Sequence, residues 1–362
     1  MKKIGIFLMA IVLILSGCSS NKPIKVAYVA GITGDLSELG IYGRNAFLMR
    51  VDEINAQGGI DGRLIEPLVY DDLNDPEKIK AIYKEIEEEE IDFVVGHILS
   101  SLAESVLKEA SSEDVLILTA TMSTRIIDNV DDYLIRTCIS NSQQGKKMGQ
   151  LIKDDGHRAA ILVTDQRNKT YSDEFGVTFE SFYDGQVMTI PYLPDDESME
   201  KILQAVESGE YGALIMVTPA LDTALISQRI RLINNSLDFY GVSWSMSPDL
   251  IANGGKHVEG LKIVYQEADD QFKEARDKFY ADYLETYKEE SNFVGQITYE
   301  ISDILFKAMK ASKKIEPDQV KKELINHSFH GLSGLITINE YGDRPGVYTT
   351  YIVEEGQFIQ ID

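Results

Sequence analysis

The stretch that decides the fold is IKVAYVAGITGDLSELGIYGRNAFLMRVDEINAQGG, residues 24–59. It opens with an apolar run that ends in Gly31, which is typical of a buried strand. Apolar residues at helical spacing follow, and this pattern stops at Gly58 and Gly59, a pair that indicates the end of a helix. The stretch therefore predicts a strand, a glycine-containing turn and a helix, which is the start of a βαβ unit.

The alternation of strand and helix continues through most of the chain. Together with residues 24–31, further apolar runs predict about eight parallel strands: RLIEPLVYDD, IDFVVGH, VLILTAT, AAILVTD, GALIMVT, LDFYGVS and GLKIVYQ. So many strands exceed one ordinary doubly wound sheet, so we predict an α/β protein with two such sheets side by side. From Leu335 onwards, apolar and polar residues alternate around Gly342 and Gly356, which predicts antiparallel strands joined by turns.

The composition excludes several classes of protein. The 362 residues include 35 Lys and Arg against 59 Asp and Glu, which gives a formal net charge of -24. We expect no binding to nucleic acid, because contacts to phosphates need a basic surface. The length predicts two domains, and the two cysteines are too few for a disulfide framework.

The N-terminal segment, MKKIGIFLMAIVLILSGCSSNK, is typical of an exported lipoprotein. Two lysines precede an apolar stretch at residues 4–15, which is shorter than the roughly 20 residues that span a bilayer but suits a signal peptide. The residues LSGC resemble a bacterial lipobox, in which Cys18 receives a diacylglycerol before cleavage, and an uncleaved anchor helix is the alternative. We expect residues 1–17 to be a signal peptide and residues 18–23 a lipidated tether, whose acyl chains, such as palmitate, hold the protein at the extracytoplasmic face of the cell membrane.

Motifs of catalytic and metal sites are absent from the sequence. It contains no HExxH, CxxC, GxSxG or GxxxxGK[ST] pattern. Only His327 and His330 are close together, and two ligands without a third make a weak metal site. The glycines after the first strand do not have the GxGxxG spacing of a dinucleotide site. We therefore expect a binding protein rather than an enzyme, with no cofactor and no metal.

Hydroxyl side chains follow two neighbouring strands of the predicted first sheet. In VVGHILSSLAES, Ser100 and Ser101 stand where a helix begins, and in TATMSTR, Thr121 and Ser123 follow the next strand. Hydroxyl groups together with the free backbone N–H groups of a helix N-terminus can bind a carboxylate. Plain capping of the helix is the alternative role for these residues.

Four motifs in order, VDEINAQGGIDGR, VYDDLNDPEK, VVGHILSS and RTCISNSQQG, resemble the branched-chain amino-acid (Leu/Ile/Val-type) substrate-binding proteins of ABC importers. The resemblance covers essentially the whole mature chain. It implies a type I periplasmic-binding fold, which is α/β with two doubly wound, mostly parallel-sheet lobes joined by a three-segment hinge. The implied first lobe is 24–141 plus 269–343, the second is 142–268 plus 344–362, and the implied crossings lie near 140–145, 266–270 and 341–346.

The resemblance also implies a ligand site in the cleft between the lobes. Hydroxyls at Ser100 and Ser123 would meet an amino-acid carboxylate, a carbonyl near Thr121 would help bind the ammonium, and Tyr171 would come from the second lobe. The family often has an acid that pairs with the ammonium, but here Ser243 stands at that position, followed by Trp244. Two alternatives follow: Asp222 or Asp165 substitutes for that acid, or the ligand has no ammonium and stacks on Trp244.

The resemblance implies a monomeric, non-enzymatic receptor that captures a small amino-acid-like molecule and passes it to ABC permease subunits. A ligand-sensing module for a signalling partner and a binder of another small carboxylate or amide are the alternatives. The candidate ligand-binding residues are Ser100, Ser101, Thr121, Ser123, Tyr171, Ser243 and Trp244, and Cys18 is the candidate lipidation site.

Overall fold

The computed structural model describes residues 22–113 and 115–362, so the predicted signal peptide and Cys18 lie outside the described residues. Five strands form a first, wholly parallel sheet: β1 (Ile24–Ala30), β2 (Ile65–Asp71), β3 (Phe93–Gly96), β4 (Leu116–Thr119) and β5 (Leu134–Arg136). Their order across the sheet is β2-β1-β3-β4-β5. We call this sheet, with the helices packed on it, the first lobe.

The second sheet has seven strands and belongs to the second lobe. Its parallel members are β6 (Ala159–Asp165), β7 (Gln186–Tyr192), β8 (Ala213–Val217), β9 (Asp238–Val242) and β10 (Lys262–Gln266). A separate antiparallel pair in the chain consists of β11 (Ser328–His330) and β12 (Leu335–Thr337). The antiparallel strands β13 (Tyr348–Glu354) and β14 (Gln357–Gln360) complete the second sheet in the order β14-β13-β10-β9-β8-β6-β7.

Helices connect the parallel strands and cover the sheets. They are α1 (Ser37–Ala56), α2 (Pro76–Glu88), α3 (Ala103–Glu113), α4 (Asn141–Asp154), α5 (Lys169–Phe182), α6 (Asp196–Glu207), α7 (Ala220–Arg231), α8 (Pro248–Gly254), α9 (Lys273–Tyr287), α10 (Phe293–Ala311) and α11 (Pro317–Asn326). Local chemistry sets their ends: the Asp75 carboxylate accepts from the Glu77 N–H at 3.0 Å, and Pro76 is the first residue of α2. No helix in the described part of the chain is both long and apolar enough to cross a bilayer.

The chain passes between the two lobes three times. It leaves the first sheet after β5, returns after β10 to form α9–α11, and leaves again through residues 341–346 to form β13. Helix α10 packs against α1 and against β3 and β4, so the late helices complete the first lobe. The predicted α/β architecture of two mostly parallel sheets is confirmed, and each lobe contains separate parts of the chain.

Four strands differ from the sequence predictions. Strands β5, β7 and β11 were missed, because none of them has the long apolar run of a strand buried on both faces. The prediction of antiparallel strands at the C-terminus is correct for β13 and β14, whereas β12 pairs with β11 instead of with β13.

Candidate functional site

A pocket lies between the two lobes, at the carboxyl ends of the parallel strands. Open α/β sheets bind ligands at this edge, because the loops that follow the strands converge there. The described residues that line it come from the first lobe (Leu39, Ile98, Leu99, Ala120, Thr121, Ser123, Cys138, Ile139, Phe293, Val294 and Ile297) and from the second (Asn168, Tyr171, Ser243, Trp244, Tyr265, Gln266 and Tyr348).

A buried polar pair fixes the loop that follows β3. The His97 Nδ1 atom lies 2.8 Å from a carboxylate oxygen of Asp72, and both side chains are fully buried. Thr119 donates its hydroxyl proton to the His97 carbonyl at 2.8 Å, and Thr121 donates to the Ile98 carbonyl at 2.7 Å. These bonds connect the loop after β3 to the loop after β4, and both loops contribute to the first-lobe side of the pocket.

The structure places the predicted first-lobe residues in two different environments. Thr121 and Ser123 line the pocket, and Ser123 is buried. Ser100 is 2% exposed, and its hydroxyl has no hydrogen-bond partner in the described part of the chain, but it does not line the pocket. Ser101 does not line it either. Of the predicted first-lobe hydroxyl groups, the pocket thus brings together only those that follow β4.

Ser101 instead connects the two lobes. Its backbone N–H and its hydroxyl both donate to the Asn168 Oδ1 atom, at 3.2 and 3.1 Å. The same hydroxyl accepts from the Thr170 N–H at 3.3 Å. Because Asn168 lies between β6 and α5, these bonds hold the first lobe against the start of α5.

Glu174 forms a second connection between the lobes. Its carboxylate accepts from the Thr124 hydroxyl at 2.8 Å and from the Arg125 N–H at 2.9 Å. We refer to the two connections as the interlobe clasp (Ser101, Thr124 and Arg125 in the first lobe, with Asn168, Thr170 and Glu174 in the second). The structure is therefore that of a closed cleft.

Gln144 organises the polar part of the second-lobe wall. Its side-chain oxygen accepts from the Tyr171 hydroxyl at 2.6 Å, and its nitrogen donates to Ser243 Oγ and to the Val264 carbonyl, both at 2.8 Å. Burial raises the pKa of Tyr171, so its hydroxyl stays protonated. Trp244 contacts the edge of the Tyr171 ring at a centroid distance of 5.8 Å. Gln144 was not among the sequence candidates, although it lies in the motif RTCISNSQQG.

Two N–H donors of the second-lobe wall have no partner among the described residues. They are the Trp244 Nε1 atom and the Gln266 Nε2 atom, and each side chain belongs to a residue only 6% exposed. Both residues line the pocket. Gln266 was also missed, but its place as a polar residue at the end of the apolar run GLKIVYQ was a usable signal.

The acids suggested as substitutes for the missing counter-ion lie outside the pocket wall. Arg167 Nε donates to both Asp165 carboxylate oxygens at 3.1 Å, and the same guanidinium pairs with Asp222. The Tyr192 hydroxyl donates to the other Asp222 oxygen at 2.9 Å. Among the described residues that line the pocket there is no Asp, Glu, Lys, Arg or His. Cys138 does line it, and burial raises the pKa of its thiol to about 11, so the thiol is neutral.

Comparisons with known proteins agree with this architecture. A family described as periplasmic binding protein matches residues 23–354. The leucine-, isoleucine-, valine-, threonine-, and alanine-binding protein of Pseudomonas aeruginosa is 20% identical over 326 residues, which are 88% of this chain and 87% of that protein.

Two solved structures have the same fold. One is the branched-chain amino acid transporter substrate binding protein LivJ of Streptococcus pneumoniae in complex with isoleucine, with a TM-score of 0.82, 17% identity and coverage of 94% of this chain and 99% of that one. The other is an ABC transporter solute binding protein of R. palustris in complex with benzoate, with a TM-score of 0.83, 17% identity and coverage of 94% and 95%.

Proposed function

The chain belongs to the periplasmic binding protein family, and we propose that it is the extracytoplasmic solute receptor of an ABC importer. In this role it binds a small, amino-acid-like molecule between its lobes and passes it unchanged to permease subunits. The names of its relatives support this proposal, since they describe amino-acid-binding proteins and transporter components. We further propose that the mature protein is a monomer attached to the membrane only through lipid on Cys18.

The observation that carries the proposal is the closed pocket, whose walls come from both lobes. Its lining is mainly apolar with a few polar groups, as is usual for small-molecule sites. A micromolar affinity corresponds to about -8 kcal/mol, and the best small ligands gain about -1.5 kcal/mol per heavy atom. A molecule of about nine heavy atoms can therefore reach this affinity without covalent chemistry.

We propose specific roles for the lining residues. The hydroxyl of Ser123, in the first-lobe wall, binds a carboxylate oxygen of the solute, and Thr121 contacts the same end of the molecule. Trp244 and Tyr171 enclose the apolar part from the second lobe, and Ser243 is held in place beside them by Gln144. Ser100, which is buried but outside the lining, has a structural role in the loop after β3.

A thermal-shift screen of residues 23–362 against amino acids, amides and small carboxylates tests the function. A solute at 100 times its Kd adds about 2.7 kcal/mol to the free energy of unfolding. We expect Ser123→Ala to weaken binding of a carboxylate by about tenfold, because one hydrogen bond to a charged group is lost. The matched control is Ser236→Ala, which removes an exposed hydroxyl between α7 and β9.

Three results would contradict the proposal. A screen in which no small molecule raises the melting temperature would argue against a solute receptor. Equal affinity of Ser123→Ala and Ser236→Ala for a carboxylate would argue against the assigned site. Conversion of the bound molecule, detected by mass spectrometry after incubation, would indicate an enzyme.

A further inference from the structure

Among the described residues that line the pocket, no side chain can neutralise a cation, because they include no Asp or Glu. Asp165 and Asp222 lie outside the wall and share the Arg167 guanidinium, which compensates one of their two negative charges. Burying an ammonium group without a carboxylate costs several kcal/mol, because its lost hydration is not replaced.

Two acids, Glu38 and Glu267, adjoin the lining residues Leu39 and Gln266 in sequence, but neither lines the pocket itself. Glu267 is exposed. Burial and the nearby carboxylates of Asp249 and Asp222 raise the pKa of Glu38 to about 7, so its charge is already disfavoured. Glu38 therefore lies outside the wall that a bound solute would touch.

The second-lobe wall instead offers hydrogen-bond donors. The N–H groups of Trp244 Nε1 and Gln266 Nε2 are buried without partners, and an unsatisfied buried donor costs about 1–3 kcal/mol. Two other acceptors of this wall, the Gln144 oxygen and Ser243 Oγ, each already accept one hydrogen bond, from Tyr171 and from Gln144. A solute that pairs with these two N–H groups must therefore carry an acceptor oxygen, because a solute that offers only donors would leave them unpaired.

We propose that the solute of this pocket is a small, mainly apolar carboxylic acid that has an acceptor oxygen, and no ammonium group, on the carbon next to its carboxylate. Trp244 Nε1 and Gln266 Nε2 donate to that oxygen, while the first-lobe hydroxyl of Ser123 binds the carboxylate. The chemical class is that of 2-oxo acids with branched or aromatic side chains. This inference rests on the proposed function and names the substrate class of the same site.

Matched sets of three acids test the inference, because each set changes only the group on the second carbon. One set is leucine, 4-methyl-2-oxopentanoate and 4-methylpentanoate, and the other is phenylalanine, phenylpyruvate and 3-phenylpropanoate. Affinities are measured by isothermal titration calorimetry on residues 23–362. We expect the oxo acid of at least one set to bind about a hundredfold tighter than its amino acid.

Two substitutions separate hydrogen bonding from packing. Trp244→Phe keeps an aromatic ring but removes the N–H group, and Gln266→Leu keeps the approximate size but removes the amide. We expect each to weaken the oxo acid about threefold to tenfold more than the acid that lacks the oxygen, because only the former accepts from these donors. An equal loss for both acids would overturn the assigned role of the two donors.

The outcomes distinguish this inference from the proposed function. If an amino acid binds as tightly as its oxo acid, and Ser123→Ala weakens it, the receptor function stands and the inference fails. If none of the six acids binds but another solute in the screen does, the inference again fails while the receptor function stands. If no compound in the screen binds, both the inference and the proposed receptor function fail.

Discussion

At the scale of single residues, Gln144 explains why the second-lobe wall presents so few polar groups to a solute. Its amide makes one hydrogen bond as an acceptor and two as a donor, so it holds the Tyr171 hydroxyl and Ser243 while leaving little capacity of its own. The Tyr171 hydroxyl is engaged by this bond and its ring edge lies against Trp244. Trp244 Nε1 and Gln266 Nε2, which have no partner among the described residues, therefore determine which polar group of a solute this wall can bind.

Glu38 predicts a pH dependence of stability. Burial first, and then Asp249 and Asp222, raise its pKa from 4.5 to about 7, against the opposing effect of Arg167. The folded protein keeps the Glu38 proton at pH values where the unfolded chain has lost it. The free energy of unfolding therefore falls as the pH rises from 4.5 to about 7, by up to about 3 kcal/mol from this group.

Substitution of this residue isolates the effect. We expect Glu38→Gln to be more stable than the parent protein at pH 7.5 and to lose that advantage as the pH is lowered towards 4.5. Urea unfolding at a series of pH values measures the difference between the two proteins. The control Glu207→Gln removes an equal charge from an exposed position, and a stability difference of the same pH dependence in both variants would refute the assignment.

At the scale of elements, most of the strands that sequence reasoning identified contain a long apolar run. β1, β3, β4, β6 and β8 are mainly apolar, and their burial is nearly complete. β7 contains Pro191 and alternates between exposed and buried positions, as an edge strand can, so it carried no comparable signal. The sequence therefore predicted the sheet interiors, and of the edge strands it predicted β2 and β14 but missed β5 and β7.

The interlobe clasp predicts how the closed cleft is maintained. Glu174 on α5 accepts from Thr124 and Arg125 of the other lobe and does not line the pocket. Removing its carboxylate with Glu174→Ala breaks two interlobe bonds, one of them to a backbone N–H. We expect the Kd of the bound solute to rise about tenfold, mainly through faster dissociation, because only the closed state loses these contacts.

Stopped-flow dissociation and calorimetry measure this effect. The matched control is Asp173→Ala, which removes the adjacent, exposed carboxylate whose ion pair with Lys169 stays within α5. Its dissociation rate should equal that of the parent protein. Equal rates for Glu174→Ala and Asp173→Ala would mean that the clasp does not stabilise closure.

At the scale of the whole molecule, the two lobes bring together residues whose spacing in the sequence carries no signal. Gln144 bonds to Tyr171, Ser243 and Val264, which are 27, 99 and 120 residues away in sequence. The position of Thr121 and Ser123 at the edge of the sheet could be predicted, because both follow a strand whose apolar run shows where it ends. Gln144 could not, because its role depends on how a helix of the second lobe packs beside β10.

The net charge of the whole molecule predicts that membrane attachment depends on lipid alone. Removal of residues 1–17, with Lys2 and Lys3, changes the formal net charge from -24 to -26, and so acidic a body is repelled by anionic lipid headgroups. Two or more acyl chains on Cys18, as proposed above, would give stable anchoring, and the five residues that follow reach at most about 18 Å before β1 begins at Ile24. We expect Cys18→Ser to move the protein from the membrane fraction to the soluble fraction on cell fractionation, at both low and high salt. The control is Cys138→Ser, which changes the pocket cysteine and should remain membrane-bound. Retention of Cys18→Ser in the membrane at both salt concentrations would instead indicate an uncleaved anchor helix.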